Sequence, residues 1–278
     1  MENRLTAYWL AAPSALIFVV LFIAPMAFFV VLSFWQVDYF VLTPAATLAN
    51  YRDVFVNYWH VMAFTVALAT ATAVVTTLAG FVFSFLARFR AGKWAQALLF
   101  IVLITLFGGY LMKIYAWKTI LGNEGVLNTA LIAMGFISTP ITTLLYSPQA
   151  VVITLVHFSL PFAVLPIYAS MRGVTDIEVE AARDLGAGRW ATLATVIVPR
   201  CQAGIVAGFS FVFLITAGDY VTPLLVGGKQ TMIGNLIAPQ FGAQFNWPLG
   251  AAMSLVMLLV AVAVIFVFRT LVAWWSRP

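Results

Sequence analysis

From Gln149 to Met171 the sequence reads QAVVITLVHFSLPFAVLPIYASM, and Arg172-Gly173-Val174-Thr175-Asp176 follows at once. The run carries no charged side chain and exceeds the roughly 20 residues of helix that cross a bilayer. Lipid offers no partner for open backbone groups, so such a run has to be helical. Five further segments meet the same test, about 8–34, 61–87, 94–116, 203–226 and 249–272. The expected fold class is all-α, a polytopic membrane protein with six transmembrane helices. The first span is too long for the apolar core of a signal peptide and reads as a retained helix, bent at Pro13 or Pro25.

Composition agrees. Of the 278 residues, 64% are hydrophobic and 8% charged, against about 25% charged in soluble domains. The net charge of +5 follows from topology and gives no reason to expect nucleic acid. With the N-terminus inside, Arg4, Arg88, Arg90, Lys93, Arg172, Arg183, Arg189, Arg200, Arg269 and Arg277 fall on the inner side. Arg52, Lys113, Lys118 and Lys229 fall outside. Ten against four places both termini in the cytoplasm. Trp9, Trp35, Trp59, Trp94, Trp117, Trp247, Trp274 and Trp275 cluster near span ends, as an interfacial belt does. Trp190 sits instead in the longest inner loop. One membrane domain fills 1–278, with a short helix expected over Met232–Phe241 in an outer connection.

The inner loop, 172–202, is the informative one. Thr175 and Glu178 have capping-box spacing. A helix from Asp176 sets Ile177, Ala181 and Leu185 on one face, and Gly186 supplies a left-handed stop. A second apolar stretch, Trp190–Val198, runs to Pro199, which is expected to block a smooth continuation into the next span. The loop thus reads as two short helices at an angle, a docking surface for a cytoplasmic partner or a segment lying on the membrane surface.

Elsewhere the candidates are few. Asp219 is the one acidic residue inside an expected span, and intramembrane charges mark paths or buried pairs. Lys113 and Lys118 are its candidate partners. Tyr110, Tyr115, Trp117 and Tyr220 lie near the same depth and suit a cation-binding aromatic wall or interfacial anchoring. Gly204 and Gly208 form a small-xxx-small face for close helix contact. His60 and His157 are isolated, with no HExxH pattern and no cysteine partner near them, so no metal site is expected. Cys201, the single cysteine, leaves no internal disulfide. No cofactor and no catalytic constellation can be assembled. A secondary transporter would normally show more intramembrane ionisable groups or paired broken helices.

Glu180-Ala181-Ala182, Gly186 and Val196-Ile197-Val198-Pro199 resemble the EAA motif of ABC importer permeases, EAA-x3-G-x9-I-x-L-P, with valine at two aliphatic positions. Further stretches resemble the spermidine/putrescine-type branch: Tyr115-Ala116-Trp117, Leu121-Gly122, Leu160-Pro161-Phe162, the run Glu180 to Ala187, and Gly218 to Pro223. Gly227-Gly228, Ile233-Gly234-Asn235 and Asn246-Trp247-Pro248 belong with them. Many such permeases carry glutamate where this chain has Asp219. The resemblance implies a MetI-like permease subunit in a bacterial inner membrane, paired with a second, often homologous permease. It also implies two cytoplasmic ATP-binding subunits docked on the EAA loops and an extracytoplasmic solute-binding protein. Membrane lipid is the remaining partner. Glu180, Ala181, Ala182, Asp184, Gly186 and Pro199 are then the ATPase-coupling residues. The substrate expected is a polyamine or related organic cation, with opines, aminophosphonates, thiamine or iron carried by related branches. The chain has no phosphate loop: Gly228-Lys229-Gln230 lacks both the leading glycine, replaced by Pro223, and the following Ser/Thr. The subunit is not expected to be an enzyme.

Overall fold

The computed structural model describes residue 10 and residues 12–276. Arg4, Trp9, Arg277 and the first residues of the span expected from 8 lie outside the described residues. The chain forms two compact units. One runs to His60 and includes Leu236–Leu259; the other comprises Val61–Asn235 and the chain from Val260.

In the first unit α1, Ala12–Leu32, is a membrane-length helix. It widens to a π-helix over Val19–Ile23, where the Ala24 N–H donates to the Val19 carbonyl. Pro25 explains the widening. In a regular helix its ring would crowd the Leu21 carbonyl, and the extra residue in the turn moves that carbonyl aside. A short antiparallel ribbon follows, β1 (Gln36–Asp38) paired with β2 (Val41–Thr43), a β element that the hydropathy reading did not foresee. Helix α2, Ala49–Asn57, is tied back by Asn50, whose Nδ2 donates to the Ser33 and Trp35 carbonyls at 2.9 and 2.8 Å.

The second unit is built on three long helices: α3 (Trp59–Phe89), α7 (Pro148–Met171) and α9 (Arg189–Ala217). All three meet at Ala163. A Cβ on Gly80 of α3 would stand 3.1 Å from the Ala163 Cβ, and one on Gly208 of α9 would stand 3.2 Å from its Cα. The small-residue face read from Gly204 and Gly208 therefore has its partner within the chain. The last helix, α12 (Trp247–Trp275), stacks Phe268 on Phe209 of α9 at 3.7 Å between ring centroids.

Two expected spans take a different form. The span drawn as 94–116 is two helices, α4 (Ala95–Ile104) and α5 (Tyr110–Leu121), and the pair Gly92–Phe107 and Tyr110–Ala133 is bent by 101°. Gly108 and Gly109 are extended at the break, with ψ of 130° and 135°. Adjacent glycines weaken a helix by about 1 kcal/mol each relative to alanine, and the Lys113 ammonium donates to the Thr105 carbonyl, which also accepts from the Gly108 N–H at the break. Helix α6, Val126–Ala133, completes the second arm. The described residues thus hold five membrane-length helices, or six with the bent pair as one span.

The span drawn as 203–226 stops at Ala217 and resumes as α10, Val221–Val226. It also begins earlier, at Arg189. Pro199 does not block the helix: a π-turn over Leu193–Ile197 carries it through. As in α1, the proline stands two residues beyond the widened turn, so the Thr195 carbonyl escapes its ring. Only 172–188 remains between α7 and α9. The short helix expected over Met232–Phe241 is present as α11, Ile233–Phe241.

Candidate functional site

Of the two short helices expected over 172–202, the first stands alone between α7 and α9, and the second is continuous with α9. Helix α8, Asp176–Asp184, starts with the full capping box. The Thr175 Oγ1 accepts from the Glu178 N–H at 3.3 Å, and the Glu178 Oε2 accepts from the Thr175 N–H at 2.8 Å. Gly186 has φ of +85°. There the Gly186 N–H donates to Arg183 and the Ala187 N–H to Ala182, the paired bonds of a Schellman stop.

Val179 is the residue of α8 that turns inward. The opposite side is open: Ile177, Leu185 and Trp190 are 77%, 89% and 83% exposed. Beside them runs a groove of about 430 Å³ lined by Glu178, Ala181, Ala182, Leu185, Val196 and Pro199. The alanines keep its floor shallow. Glu180 and Asp184 are exposed, and Gly186 ends the helix. Pro199, placed at the start of the α-helical part of α9, forms a wall of the groove. An apolar helix face in water is unfavourable at about 25 cal/mol per Å².

Two arginines that the sequence reading used only for topology hold α8 in place. Arg88 pairs with Asp176 at 3.0 Å, and Arg200 pairs with Glu178 at 2.8 Å. No local signal marks these pairs, since Arg88 and Asp176 meet only through the tertiary fold. The Glu178 carboxyl is held below its usual value of 4.5, first by the Thr175 amide, then by the Thr175 hydroxyl, with Arg200 adding to both.

The second constellation lies at the break between α9 and α10. Asp219 does not stand inside a helix; its Oδ1 accepts from the N–H groups of Val221 and Thr222, at 2.9 and 3.3 Å, and so starts α10. Its Oδ2 is buried and, among the described residues, has no hydrogen-bond partner. Among the described residues Asp219 forms no ion pair, and Lys113 turns to Thr105 and the face of Phe158 instead.

Tyr110 comes to the same place from the other break. Its hydroxyl is 2.8 Å from the Thr222 Oγ1 and beside the Asp219 carboxylate. Asn235 closes the knot, donating to the Tyr220 carbonyl at 2.6 Å, and Gly234 lies against the Asp219 and Tyr220 backbone. Thus Tyr110, Asp219 and Tyr220 gather. Trp117 packs on the same apolar core two turns along α5, edge-on to His157, whereas Tyr115 is 52% exposed.

Comparison with known proteins identifies the class. No family model matches the chain. The spermidine/putrescine transport system permease protein PotB of Haemophilus influenzae is 36% identical over 224 residues, 80% of this chain and 78% of its own. The Escherichia coli K12 protein of the same name is 35% identical over 80% of this chain and 81% of its own. The inner membrane ABC transporter permease protein YdcU of that organism is 32% identical over 85% and 80%. The chain belongs to the ABC transporter permeases, in the branch of the spermidine/putrescine transport system permeases. It is an integral membrane transport subunit and not an enzyme. Solved structures agree on the fold. A bacterial transporter that imports the acidic polysaccharide alginate matches at TM-score 0.69 and 15% identity over 99% of this chain and 98% of that one. The MetNI methionine transporter matches at 0.57 and 14% over 83% and 100%.

Proposed function

We propose that this permease forms half of the translocation path of a polyamine importer in a bacterial inner membrane. Both termini and the segment 172–188 face the cytoplasm. A second permease completes the path, two ATP-binding subunits dock on the α8 segments, and a solute-binding protein delivers substrate from outside. The observation that carries the reading is the identity to the spermidine/putrescine permeases across four-fifths of the chain.

Two features of the site support it. The groove along Ala181 and Ala182, flanked by exposed Leu185 and Trp190, suits a partner's protruding side chains. Glu180 offers that partner a charge-assisted bond. At the other break, the Asp219 carboxylate has an oxygen without a hydrogen-bond partner among the described residues, with Tyr110 beside it, and an ammonium group satisfies both. The test is ATP hydrolysis by the reconstituted importer with spermidine, putrescine, 2-aminoethylphosphonate or thiamine and the cognate binding protein. Stimulation by the polyamines is expected. Stimulation by another of these solutes alone would remove the polyamine assignment.

A further inference from the structure

The coupling helix is held by two straps, and each goes to a different membrane helix. Arg88 lies in the last turn of α3. Its Nη2 donates to the Asp176 Oδ1 at 3.0 Å and to the Val174 carbonyl at 3.1 Å, gripping the turn before α8 and its first residue. Arg200 lies near the start of the regular part of α9 and meets the Glu178 Oε1 at 2.8 Å. Glu178 divides its oxygens, since Oε2 serves the cap at Thr175 while Oε1 takes Arg200. The charges also suit the helix ends: a cation closes α3, and two acids open α8.

These contacts do little for the fold. Asp176 is 70% exposed and the Arg200 side chain 57%, and exposed pairs contribute little to stability. The long helices are already packed through Gly80, Ala163, Gly204 and Gly208. The chain itself joins α8 to α7 through a short turn over Arg172–Val174. The chain likewise joins α8 to α9 through the turn over Leu185–Gly188, so it is Arg88 that extends the hold on α8 to α3, a helix remote in sequence.

Resting on the reading that an ATPase docks on α8, we propose that Arg88 and Arg200 are positioning residues for energy coupling. They convert a displacement of α8 into a joint displacement of α3 and α9. Arg88 stands apart from the docking groove, whereas Arg200 and its partner Glu178 line it, so retention of the ATPase is the readout that separates transmission from docking. A docked ATPase that moves α8 therefore moves three of the long helices, α7 and α9 through the chain, with Arg200 bracing α8 against α9, and α3 through Arg88.

The experiment measures substrate transported per ATP hydrolysed by the complete importer in proteoliposomes. It compares wild type, Arg88→Gln with Arg200→Gln, and Arg88→Lys with Arg200→Lys, at low and high salt. The glutamine pair is expected to keep the ATPase bound and hydrolysing, while the ratio falls about fivefold, the factor that an exposed ion pair can supply. The lysine pair is expected to keep the ratio at low salt and lose it at high salt, where exposed pairs are screened. An unchanged ratio in the glutamine pair, with the ATPase bound, overturns the proposal alone. Loss of the ATPase from that pair also overturns it, since the arginines would then serve docking. A wild-type permease that retains no ATPase overturns the docking reading and this proposal together. Should the glutamine pair fail to accumulate, the lysine pair decides, and a ratio indifferent to salt overturns the proposal.

Discussion

Gly204 of α9 lies so close to α7 that a Cβ on it would stand 2.9 Å from the Ile167 Cα and 2.5 Å from the Ser170 Oγ. Backbone on one side and a packed side chain on the other leave nowhere for a methyl group to go. Gly204→Ala is therefore expected to separate the two helices or strain them, at a cost of about 1–3 kcal/mol. Gly188 is the control, since a Cβ there meets nothing within 4 Å. Thermal unfolding of the detergent-purified permease should show a lower midpoint for Gly204→Ala and little change for Gly188→Ala. Equal midpoints would mean that the approach at Gly204 is not tight.

The capping box gives α8 a defined pH range. In the folded chain Thr175 and Arg200 favour the ionised Glu178 carboxyl, so its affinity for a proton is lowered. A lowered carboxyl contributes stability above its ordinary value and loses it as pH falls through the folded value. Exchange protection of the Asp176–Asp184 amides, corrected for intrinsic rate, should stay level from neutral pH to the ordinary carboxylate range and fall only below it. Thr175→Ala removes the accepting hydroxyl and should lower protection about fivefold even at neutral pH. Protection that already declines between pH 8 and 6 would point to a different controlling group.

Much of the segment over 172–188 was legible because its signals are local. Thr175, Glu178 and Gly186 act within one turn of themselves, and spacing alone reveals them. The membrane-length runs at α3, α7 and α12 were legible for the same reason. Gly108-Gly109 and Gly218-Asp219-Tyr220 escaped because hydropathy sums composition, and glycine barely lowers the sum while it ends the helix. Pro199 misled in the opposite direction, since a proline expected to stop a helix was accommodated by a π-turn. The Arg88–Asp176 strap depends on how α3 and α8 come together, and no periodicity encodes that.

Asp219 has two separable duties. Its Oδ1 holds the start of α10 through the Val221 and Thr222 amides, and its Oδ2 is the free buried acceptor. Asp219→Asn keeps an acceptor for the amides but removes the charge, whereas Asp219→Ala removes both. Asparagine should leave assembly intact and cut uptake at limiting polyamine about tenfold or more, as expected for a lost charge-assisted bond. Alanine should also lower the thermal midpoint. Normal uptake by the asparagine variant would take Asp219 out of the path.

Ala182 tests whether the groove receives a partner. The groove along α8 is floored by Ala181 and Ala182 and bounded by Val196 and Pro199 of α9. A tryptophan at 182 would fill it, and overpacking a tight contact is as damaging as a cavity. Because the groove opens to solvent, the same side chain should cost the isolated permease almost nothing. The contrast with Gly204 is the point of the experiment: one site is packed from within the chain, the other waits for something outside it. Ala182→Trp should insert and unfold like wild type, yet lose copurifying ATPase and polyamine-stimulated hydrolysis. Glu180→Ala should weaken the same association by about 2–5 kcal/mol if its carboxylate becomes desolvated against a basic group. A helix that merely lay on the bilayer would tolerate both changes. Wild-type copurification and stimulated hydrolysis in the two variants would therefore refute docking at this groove.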